Sequence, residues 1–439
     1  MTEPPLRPGP PKIIPRVVLF SFGSLGDLHP YLAVALGLKA RGIEAIIATS
    51  AIYREKVEKL GLGFRPIRPD APPPGEMAEL MKRIMDLRNG PEQVIRRMIM
   101  PALRESLEDS IAAAEGADLL VSHPLTFSVR LVAETRGLLW ASSVLAPLSL
   151  YSAYDPPVLA PAPYLSRLRR LGPLFYRPVF AALKHSVRTW SDPYHEIRAE
   201  LGLPPGDDPL FEGQHAPDLV LVLMSTLLAP QQRDWPANAV VTGFPFFDRD
   251  ERLDPELGRF LDDGPPPIVF TLGSSAVANP GKFYEVGAEA ARRLKRRAVL
   301  LVGNDAPELR SAKLPEGVIA VPYASYTELF PRAAAIVHQG GIGTTAQAMR
   351  SGKPELVVPF AFDQPDNADR VARLGIARTI TRTRFEADRA TSALDRLLTV
   401  PDYTRKAAEV GEIVRSDDGI SGAANALRDM LGPTYQSRE

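Results

Sequence analysis

The chain alternates short apolar runs with helical stretches, and this pattern occurs in each half of its 439 residues. The runs are β-branched or aliphatic and almost continuously apolar, as expected of parallel strands that helices cover on both faces. The predicted strands are residues 17–22, 45–49, 119–122, 139–145 and 219–224 in the first half, and 268–272, 298–302, 318–321, 335–337 and 356–359 in the second. Predicted helices include residues 31–40, 282–293 and 364–374. The pattern predicts an α/β protein with two Rossmann-like domains, each built on a doubly wound parallel sheet.

A segment rich in Pro, Gly and Asp separates the two halves, between residues 237 and 267. It ends with Gly264 and a run of prolines directly before a predicted strand, a composition typical of a linker. We therefore place the domain boundary near Arg249. Phe246 and Phe247 in this segment are interpreted as a local apolar plug, and a hinge contact is the alternative.

Composition excludes several kinds of site. Lys and Arg together number 52, as do Asp and Glu, so the chain lacks the overall basic excess of many nucleic-acid-binding proteins. With no cysteine it has neither disulfides nor thiolate metal sites, which suits a reducing cytoplasm. The six histidines contain no pair at the i, i+4 spacing of a metal motif. No signal peptide or membrane-spanning stretch is evident, so we expect a cytoplasmic protein.

The strongest motif is a glycine turn in the second half, residues 338–345 (HQGGIGTT). It follows a predicted strand that ends near His338 and precedes a helix that begins near Thr344. Glycines let a ligand approach the backbone closely, and the first N–H groups of a helix have no intrahelical partner. With the positive end of the helix dipole, these features suit a phosphate group. A tight turn without a ligand is the alternative.

A second strand-to-helix turn follows at residues 359–365 (PFAFDQP). Asp363 and Gln364 should lie at the carboxyl edge of the sheet, where open α/β sheets bind ligands. A carboxylate accepts hydrogen bonds and an amide both accepts and donates them, so the pair suits a polyhydroxylated ring. The alternative is that Asp363 or Gln364 caps the helix that follows.

The first half contains a comparable turn, residues 23–30 (GSLGDLHP), after its first predicted strand. Its one carboxylate, Asp27, stands at the start of a helix. On this pattern alone, Asp27 is expected to be the N-cap residue of that helix and nothing more.

The stretch from Val321 to Arg378 resembles the donor-binding signature of family-1 nucleotide-sugar glycosyltransferases. The turn with Asp27 resembles the acceptor loop of that family's bacterial antibiotic, flavonoid and sterol-type branch. The matching residues, at the family's spacing, are 338–345, Gly352-Lys353-Pro354, Pro359, Asp363-Gln364 and Leu374-Gly375.

This resemblance implies the GT-B fold, in which two Rossmann-like domains face each other across a cleft. Residues 1–248 would form the acceptor-binding domain and residues 249–420 the nucleotide-sugar-binding domain. A C-terminal helix within residues 421–439 would pack back on the first domain.

The resemblance also implies roles for individual residues. The diphosphate ligands would be His338, Gly341, Gly343, Thr344, Thr345 and, from a serine loop after the strand 268–272, Ser274. Asp363 and Gln364 would contact the sugar hydroxyls. Tyr323 would stack on the nucleobase while the backbone near Ala324 reads its edge. The Trp and the ribose-binding Glu of plant members are missing, so uridine and thymidine both stay open.

The implied reaction is a metal-independent, inverting transfer of a hexose to a hydroxyl of an apolar small molecule, such as a flavonoid, polyketide or sterol. UDP-glucose is the first expected donor and dTDP-rhamnose the second; the nucleotide sugar is a co-substrate, and no cofactor is expected. Asp27 stands where plant members carry a catalytic histidine, and it would take the proton from the acceptor hydroxyl.

Histidine-based relatives pair their base with an Asp at a neighbouring strand end, where this chain has His123. We predict that His123 contacts Asp27 or the acceptor. A strand-end histidine with only structural contacts is the alternative, and His29 is a second candidate for the same role.

Two irregular segments suit a large apolar acceptor: residues 69–104, rich in methionine, and residues 156–177, in which Tyr, Leu and Arg alternate. Methionines that simply face the core are the alternative for the first segment. Two other functions stay open at this point, a nucleotide-sugar 2-epimerase of GT-B architecture and a non-enzymatic binder of lipids or polyphenols. The turn with Asp27 disfavours the epimerase, and the presence of both His338 and Asp363-Gln364 disfavours the binder.

Overall fold

The computed structural model describes residues 14–70, 74–248, 253–277, 279–304 and 314–432, which form two sheets. The strands of the first are β1 (Arg16–Phe20), β2 (Glu44–Thr49), β3 (Gly63–Pro66), β4 (Leu119–Ser122), β5 (Leu139–Val144), β6 (Leu219–Val222) and β7 (Ala239–Val241). Those of the second are β8 (Ile268–Thr271), β9 (Ala298–Leu301), β10 (Val318–Val321), β11 (Ala335–His338), β12 (Glu355–Val357) and β13 (Ala377–Thr379). Their spatial orders are β3-β2-β1-β4-β5-β6-β7 and β10-β9-β8-β11-β12-β13, with all neighbours parallel. The two predicted doubly wound sheets are confirmed.

Helices cover both sheets. Those of the first half are α1 (Leu25–Lys39), α2 (Arg54–Glu58), α3 (Pro74–Ile84), α4 (Gly90–Val94), α5 (Leu103–Ala113), α6 (Ser128–Arg136), α7 (Gly172–Val187) and α8 (Asp192–Glu200). Those of the second half are α9 (Pro255–Asp262), α10 (Gly273–Ala276), α11 (Phe283–Arg293), α12 (Tyr326–Leu329), α13 (Ile342–Ser351), α14 (Gln364–Arg373), α15 (Ala387–Thr399), α16 (Pro401–Ser416) and α17 (Gly419–Met430). Among the described residues, no helix combines the length and apolar character needed to cross a bilayer.

Each predicted strand is present, with ends that differ by a few residues at most. The strands β3, β7 and β13 were not predicted; they are short, and each lies at an edge of its sheet. All four residues of β1 from Val17 onward are fully buried, whereas β7 is half-buried or exposed and β13 is mixed. An edge strand has neighbours on one side only, so it does not need the continuous apolar run by which the central strands were recognised.

The segment predicted to be a linker, residues 237–267, is more ordered than expected, because β7 and α9 lie within it. The proposed boundary at Arg249 lies outside the described residues. Just before it, Phe246 packs under the guanidinium of Arg350 in the second half, 4.4 Å from the ring centre. Phe247 faces the first half, with its ring 5.0 Å from that of His29. The pair therefore bridges the two halves, and its interpretation as a local plug was wrong.

The last helix, α17, returns to the first half and packs against α1. Ala424 and Leu427 are buried in the same apolar cluster as Leu32 and Leu38 of α1. The approach is close, because a Cβ at Gly37 would lie 2.7 Å from Cγ2 of Ile420. This contact ties the end of the chain to its first helix.

The topology places the candidate motifs at the carboxyl ends of neighbouring strands in each sheet. β1 and β4 are neighbours, so the turn that carries Asp27 and the strand end that carries His123 lie side by side. In the second sheet β11 lies between β8 and β12, so the glycine turn is flanked by the serine loop and by the segment that leads to Asp363. The strand order thus brings the Asp27 turn next to His123, and the glycine turn next to the serine loop and the Asp363 segment.

Candidate active site

In the first half, Asp27 is held by the turn that starts α1. Ser24 is the N-cap residue and Asp27 is the third residue of the helix, and the two form a capping box. Oδ2 of Asp27 accepts hydrogen bonds from the backbone N–H of Ser24 at 2.8 Å and from its hydroxyl at 3.1 Å. The expectation that Asp27 is itself the N-cap residue was wrong, because Ser24 takes that position. The capping leaves Oδ1 of Asp27 without a role in the turn.

His123 follows β4 and lies beside that second oxygen. Its ring is 5% exposed, and Nε2 lies 3.6 Å from Oδ1 of Asp27. Nδ1 accepts a hydrogen bond from the backbone N–H of Leu125 at 3.0 Å. A nitrogen that accepts from an N–H cannot carry a proton, so the neutral ring carries its proton on Nε2, directed at the carboxylate. The structure thus brings together the two residues predicted to be catalytic.

In the second half, no side chain caps the start of α13. Gly341 occupies the N-cap position and makes no side-chain cap hydrogen bond. The N–H groups of the first helical turn, including those of Gly343 and Thr344, therefore point out of the helix without an intrahelical partner. Thr345 differs, because its N–H and its hydroxyl both donate to the carbonyl of Gly341, at 2.9 and 3.0 Å. Thr345 is fully buried, and its expected contact with a diphosphate does not fit this conformation.

His338 also faces inward. It is fully buried, Nε2 lies 3.0 Å from Oε2 of Glu355, and Nδ1 accepts from the N–H of Gly340 at 3.1 Å. Burial raises the pKa of the Glu355 carboxyl, and the contact with His338 opposes this rise. With both ring nitrogens engaged, His338 supports the glycine turn and offers no donor to a ligand. The expectation that it binds the diphosphate directly does not fit this geometry.

The residue after it, Gln339, was missed by the sequence analysis. It is 2% exposed, and its Oε1 has no hydrogen-bond partner among the described residues. Its amide lies against the serine loop, since a Cβ at Gly273 would be 2.5 Å from Nε2 of Gln339. Ser274 in the same loop is exposed. A buried amide without a hydrogen-bond partner between two loops is a common feature of ligand sites. The sequence around Gln339 did not indicate that its side chain would be buried in this way.

Asp363 and Gln364 begin α14 and behave differently from each other. Asp363 occupies the N-cap position but makes no cap hydrogen bond through its side chain; Oδ2 accepts from Nδ2 of Asn367 at 2.6 Å. Gln364 is buried, and its Oε1 accepts from the N–H groups of Phe360 and Ala361 at 2.8 and 3.0 Å. Its acceptor oxygen is therefore used by the turn. Only its NH₂ group remains for a ligand, which corrects the expectation of a group that both donates and accepts.

Two further residues position Asp363. Asn367, one helical turn along α14, also donates to the carbonyl of Gly340 at 2.9 Å, so it links Asp363 to the glycine turn. Phe362 has a φ of 55°, which is unusual for a residue other than glycine and is typical of strained segments at functional sites. The i, i+4 spacing of Asp363 and Asn367 could have indicated the role of Asn367. Nothing in the sequence indicated the unusual backbone conformation of Phe362.

The predicted nucleobase residues lie before α12. The ring of Tyr323 is 61% exposed, whereas Ala324 is 5% exposed and packs in the core of the second half. Tyr326 stacks on Phe330 with ring centres 4.3 Å apart and forms a hydrogen bond with Thr271 at 2.8 Å. Tyr323 is thus an exposed aromatic ring of this segment, and the partly buried stack of Tyr326 on Phe330 supports the segment.

The two turns meet between the domains. A Cβ at Gly343 would lie 3.7 Å from Cα of Gly26 and 3.8 Å from its carbonyl oxygen. Burial raises the pKa of Asp363 to about 7, and the negative charge of Asp27 from the other domain contributes to the rise. The carboxylates of Asp27 and Asp363 are therefore close enough to influence each other, and both lie near the open end of α13.

A buried ionic cluster fixes the domains nearby. Arg370 of α14 is 3% exposed, donates to Oδ2 of Asp366 at 2.8 Å and pairs with Asp155 of the first domain. Oδ1 of Asp366 accepts from the N–H of Val158 at 2.9 Å. The sequence analysis did not single out these residues. They hold the loop after β5 against the helix that begins beside Asp363.

Comparison with protein families gives two matches that together cover most of the chain. The glycosyltransferase family 28 N-terminal domain matches residues 17–137. The C-terminal domain of proteins like the erythromycin biosynthesis protein CIII matches residues 268–427.

Curated relatives align over nearly the whole chain. An O-mycaminosyltylonolide 6-deoxyallosyltransferase of Streptomyces fradiae is 34% identical over 429 residues, covering 94% of this chain and 97% of that protein. The vancomycin aglycone glucosyltransferase of Amycolatopsis orientalis is 29% identical and covers 95% of this chain and 98% of its own. A sterol 3-beta-glucosyltransferase of Arabidopsis thaliana is 26% identical and covers 96% of this chain and 69% of its own.

Solved structures share the fold. The glycotransferase of kitacinnamycin superposes with a TM-score of 0.69 at 21% identity, covering 95% of this chain and 100% of that one. A calicheamicin glycosyltransferase gives a TM-score of 0.67 at 18% identity, with 96% and 100% covered. Both support the GT-B arrangement of two parallel-sheet domains.

Proposed function

Because this chain belongs to the GT-B glycosyltransferases that include antibiotic and sterol glycosyltransferases, we propose that it transfers a hexosyl group from a nucleotide sugar to a hydroxyl of an apolar natural product or sterol. The one observation that carries this proposal is the meeting of the two turns. The turn that carries Asp27 and the open end of α13 lie against each other between the domains, where Gly26 and Gly343 approach each other.

Asp27 is the proposed general base. The acceptor oxygen attacks the anomeric carbon, its proton passes to Oδ1 of Asp27, and the bond from that carbon to the diphosphate oxygen breaks. The ring of His123, whose Nε2 lies 3.6 Å from Oδ1, is proposed to help orient this carboxylate before the attack. A positioned base of this kind contributes about 10²–10⁴ in rate. A single displacement from the face opposite the diphosphate inverts the anomeric configuration.

The leaving diphosphate gains negative charge as the bond breaks. The proposed donors to it are the N–H groups of Gly343 and Thr344, the hydroxyl of Ser274 and the amide of Gln339. Gly341 supplies an N-cap position that no side chain fills, so these N–H groups stay available. One well-aimed donor is worth roughly 3–4 kcal/mol in the transition state. His338 and Thr345 are assigned to the support of this turn, not to direct contact.

The sugar is proposed to bind between Asp363 and the NH₂ group of Gln364. Because the pKa of Asp363 is raised to about 7, its carboxyl group changes charge close to neutral pH. It can therefore donate a hydrogen bond to a sugar hydroxyl when protonated and accept one when ionised. Tyr323 is the proposed stacking partner of the nucleobase.

We propose UDP-glucose as the first donor and dTDP-rhamnose as the second, with no metal ion. Among the described residues, no group of three His, Asp or Glu side chains is arranged to hold a metal. The donor charge would then be balanced by backbone N–H groups and the helix dipole.

The proposal is tested by incubating the protein with UDP-glucose or dTDP-rhamnose and a panel of phenols, macrolide aglycones and sterols. We expect nucleoside diphosphate to be released only when both donor and acceptor are present, with inversion seen in the anomeric coupling constant of the product. Release without acceptor would indicate hydrolysis, and recovery of a 2-epimeric sugar would indicate an epimerase. Addition of EDTA should leave the rate unchanged, because no step is assigned to a metal.

A further inference from the structure

An exposed apolar and basic surface lies on the first domain, outside the candidate site. Residues 156–191 contain no Asp or Glu, although the whole chain has a net charge of zero. The basic residues of this stretch are Arg167, Arg169, Arg170, Arg177, Lys184 and Arg188. A local excess of positive charge in a neutral chain is a feature that the proposed transfer reaction does not use.

On the helix that carries several of them, the side chains form separate rows along its surface. Residues Pro163–Leu171 form a 3-10 helix, in which side chains three residues apart lie on the same face. One row is Leu168 and Leu171, which are 39% and 55% exposed. The adjacent row is Tyr164, 64% exposed, with Arg167 and Arg170, which are also exposed. Leu174, at the start of α7, is 91% exposed.

The third face of this 3-10 helix is anchored to the protein. Arg169 pairs with Asp369 of α14 at 2.9 Å. The hydroxyl of Tyr176, which is fully buried, donates to the carbonyl of Leu165 at 2.5 Å. The leucines and arginines therefore point outward from a fixed support. Within the described residues, Arg167, Arg170 and Arg177 have no carboxylate partner.

We propose that this surface, defined by Tyr164, Arg167, Leu168, Arg170, Leu171 and Leu174, binds peripherally to an anionic lipid bilayer. Leucines that enter the headgroup region while flanking arginines meet lipid phosphates are typical of basic amphipathic segments at membrane surfaces. Residues 156–191 themselves contain no carboxylate to repel anionic lipid, and the nearby Asp369 and Glu212 are paired with Arg169 and Lys184. The proposal is independent of the sugar-transfer reaction, so either can fail alone.

The test is flotation of the full chain with phosphatidylcholine vesicles that contain about one-third phosphatidylglycerol, compared with pure phosphatidylcholine vesicles. We expect binding to the anionic vesicles that weakens as salt is added, and little binding to the neutral ones. The double variant Arg167→Gln/Arg170→Gln should bind about 25-fold more weakly, because each basic residue near an anionic surface contributes about a fivefold preference. The variant Leu171→Asp/Leu174→Asp should lose binding.

Matched controls come from exposed residues of the second domain. Arg384→Gln/Arg389→Gln removes two exposed arginines, and Ile413→Asp replaces an isoleucine that is 46% exposed. Both controls should bind as the unmodified chain does, and all variants should keep its thermal unfolding midpoint. Equal binding to both kinds of vesicle, or unchanged binding by the two surface variants, would overturn the proposal. So would a dimer in sedimentation velocity that the Leu171→Asp/Leu174→Asp variant abolishes, since the surface would then be an interface between two copies of the chain.

Discussion

The turn before α1 and the turn before α13 have the same architecture but differ in how the start of the helix is capped. Each follows a buried central strand, contains glycine and starts a helix, and the two face each other between the domains. In the first turn, Ser24 and Asp27 close the helix end with a capping box. In the second, Gly341 stands at the N-cap position and leaves the helix end open.

The difference explains how one structural unit serves two kinds of chemistry. In the first turn the hydroxyl of Ser24 accepts from the N–H of Gly26, and the turn presents the carboxylate of Asp27, whose Oδ1 lies 3.6 Å from Nε2 of His123. An uncapped helix end presents N–H groups and a positive dipole, which suit an anion. The first turn thus suits the proposed base and the second the proposed diphosphate site.

The largest expected effect comes from removing the charge of the first turn. In Asp27→Asn the side chain keeps its size and one acceptor oxygen for the capping box, so the fold should be preserved. We expect kcat to fall by about 10²–10⁴, because Asp27 is the proposed general base and an amide cannot take the acceptor proton. The measurement is steady-state release of nucleoside diphosphate at saturating donor and acceptor.

Ser24→Ala serves as its control, since it removes a cap contact and keeps the carboxylate. That variant should lose about 1 kcal/mol of stability while it keeps most of its kcat. Undiminished turnover in Asp27→Asn would show that the first turn is only a helix cap.

A second experiment closes the open turn. Gly341 has a φ of −59° and a ψ of 142°, so Gly341→Asp meets no backbone strain, and its side chain can cap the helix as in the first turn. Its Cβ would lie 2.9 Å from Nε2 of Gln339, so the end of that side chain must shift. A carboxylate in this position occupies the N–H groups and repels the diphosphate, and we expect the Kd of UDP to rise on the order of 100-fold. Isothermal titration calorimetry with UDP and with dTDP measures this without an acceptor.

Gly341→Asn separates charge from capping in the same position. It should weaken UDP binding less than Gly341→Asp does, while both variants gain thermal stability from the new cap. If both bind UDP as the unmodified chain does, the diphosphate does not use the end of α13.

A smaller effect is expected from His123, which acts on the base and not on the substrate. In His123→Ala we expect kcat to fall about tenfold, since the carboxylate loses the donor that orients it. His123→Gln offers an amide N–H in place of Nε2 and should recover part of the loss. A kcat in His123→Ala equal to that of the unmodified chain, in the same assay, would leave His123 a structural residue only.

The fold and the location of the site could be predicted from the sequence because they depend on features that neighbouring residues encode. Central strands such as β1 and β11 are continuous apolar runs, and the turns after them are marked by glycine. Strand order then placed Asp27 beside His123, as the resemblance to histidine-based relatives had implied. Edge strands such as β7 carry no such run, which is why they were missed.

The roles of individual side chains depended on partners far away in the chain. His338 looked like a phosphate ligand until Glu355 and Gly340 were seen to occupy both of its nitrogens. Gln364 looked like a free amide until its oxygen was seen to accept from the preceding turn. A local sequence pattern does not indicate which way a side chain points. The location of the site could therefore be predicted better than the contacts of its individual side chains.

The smallest predicted effect concerns Asp363, where the two turns influence each other through charge. Its folded-state pKa of about 7 lies above the ordinary value of 3.8, so the folded protein holds a proton that the unfolded chain releases. This contribution to stability is present below about pH 4 and is lost as the pH rises to about 7. Since Asp363 is only partly buried, we expect a loss of about 1 kcal/mol from pH 5 to pH 8 that Asp363→Asn does not show. Urea unfolding across this range measures it, with the exposed Asp395→Asn as the control that should follow the unmodified chain. The same pH dependence in Asp363→Asn as in the unmodified chain would mean that the pKa of Asp363 is not raised in the folded protein.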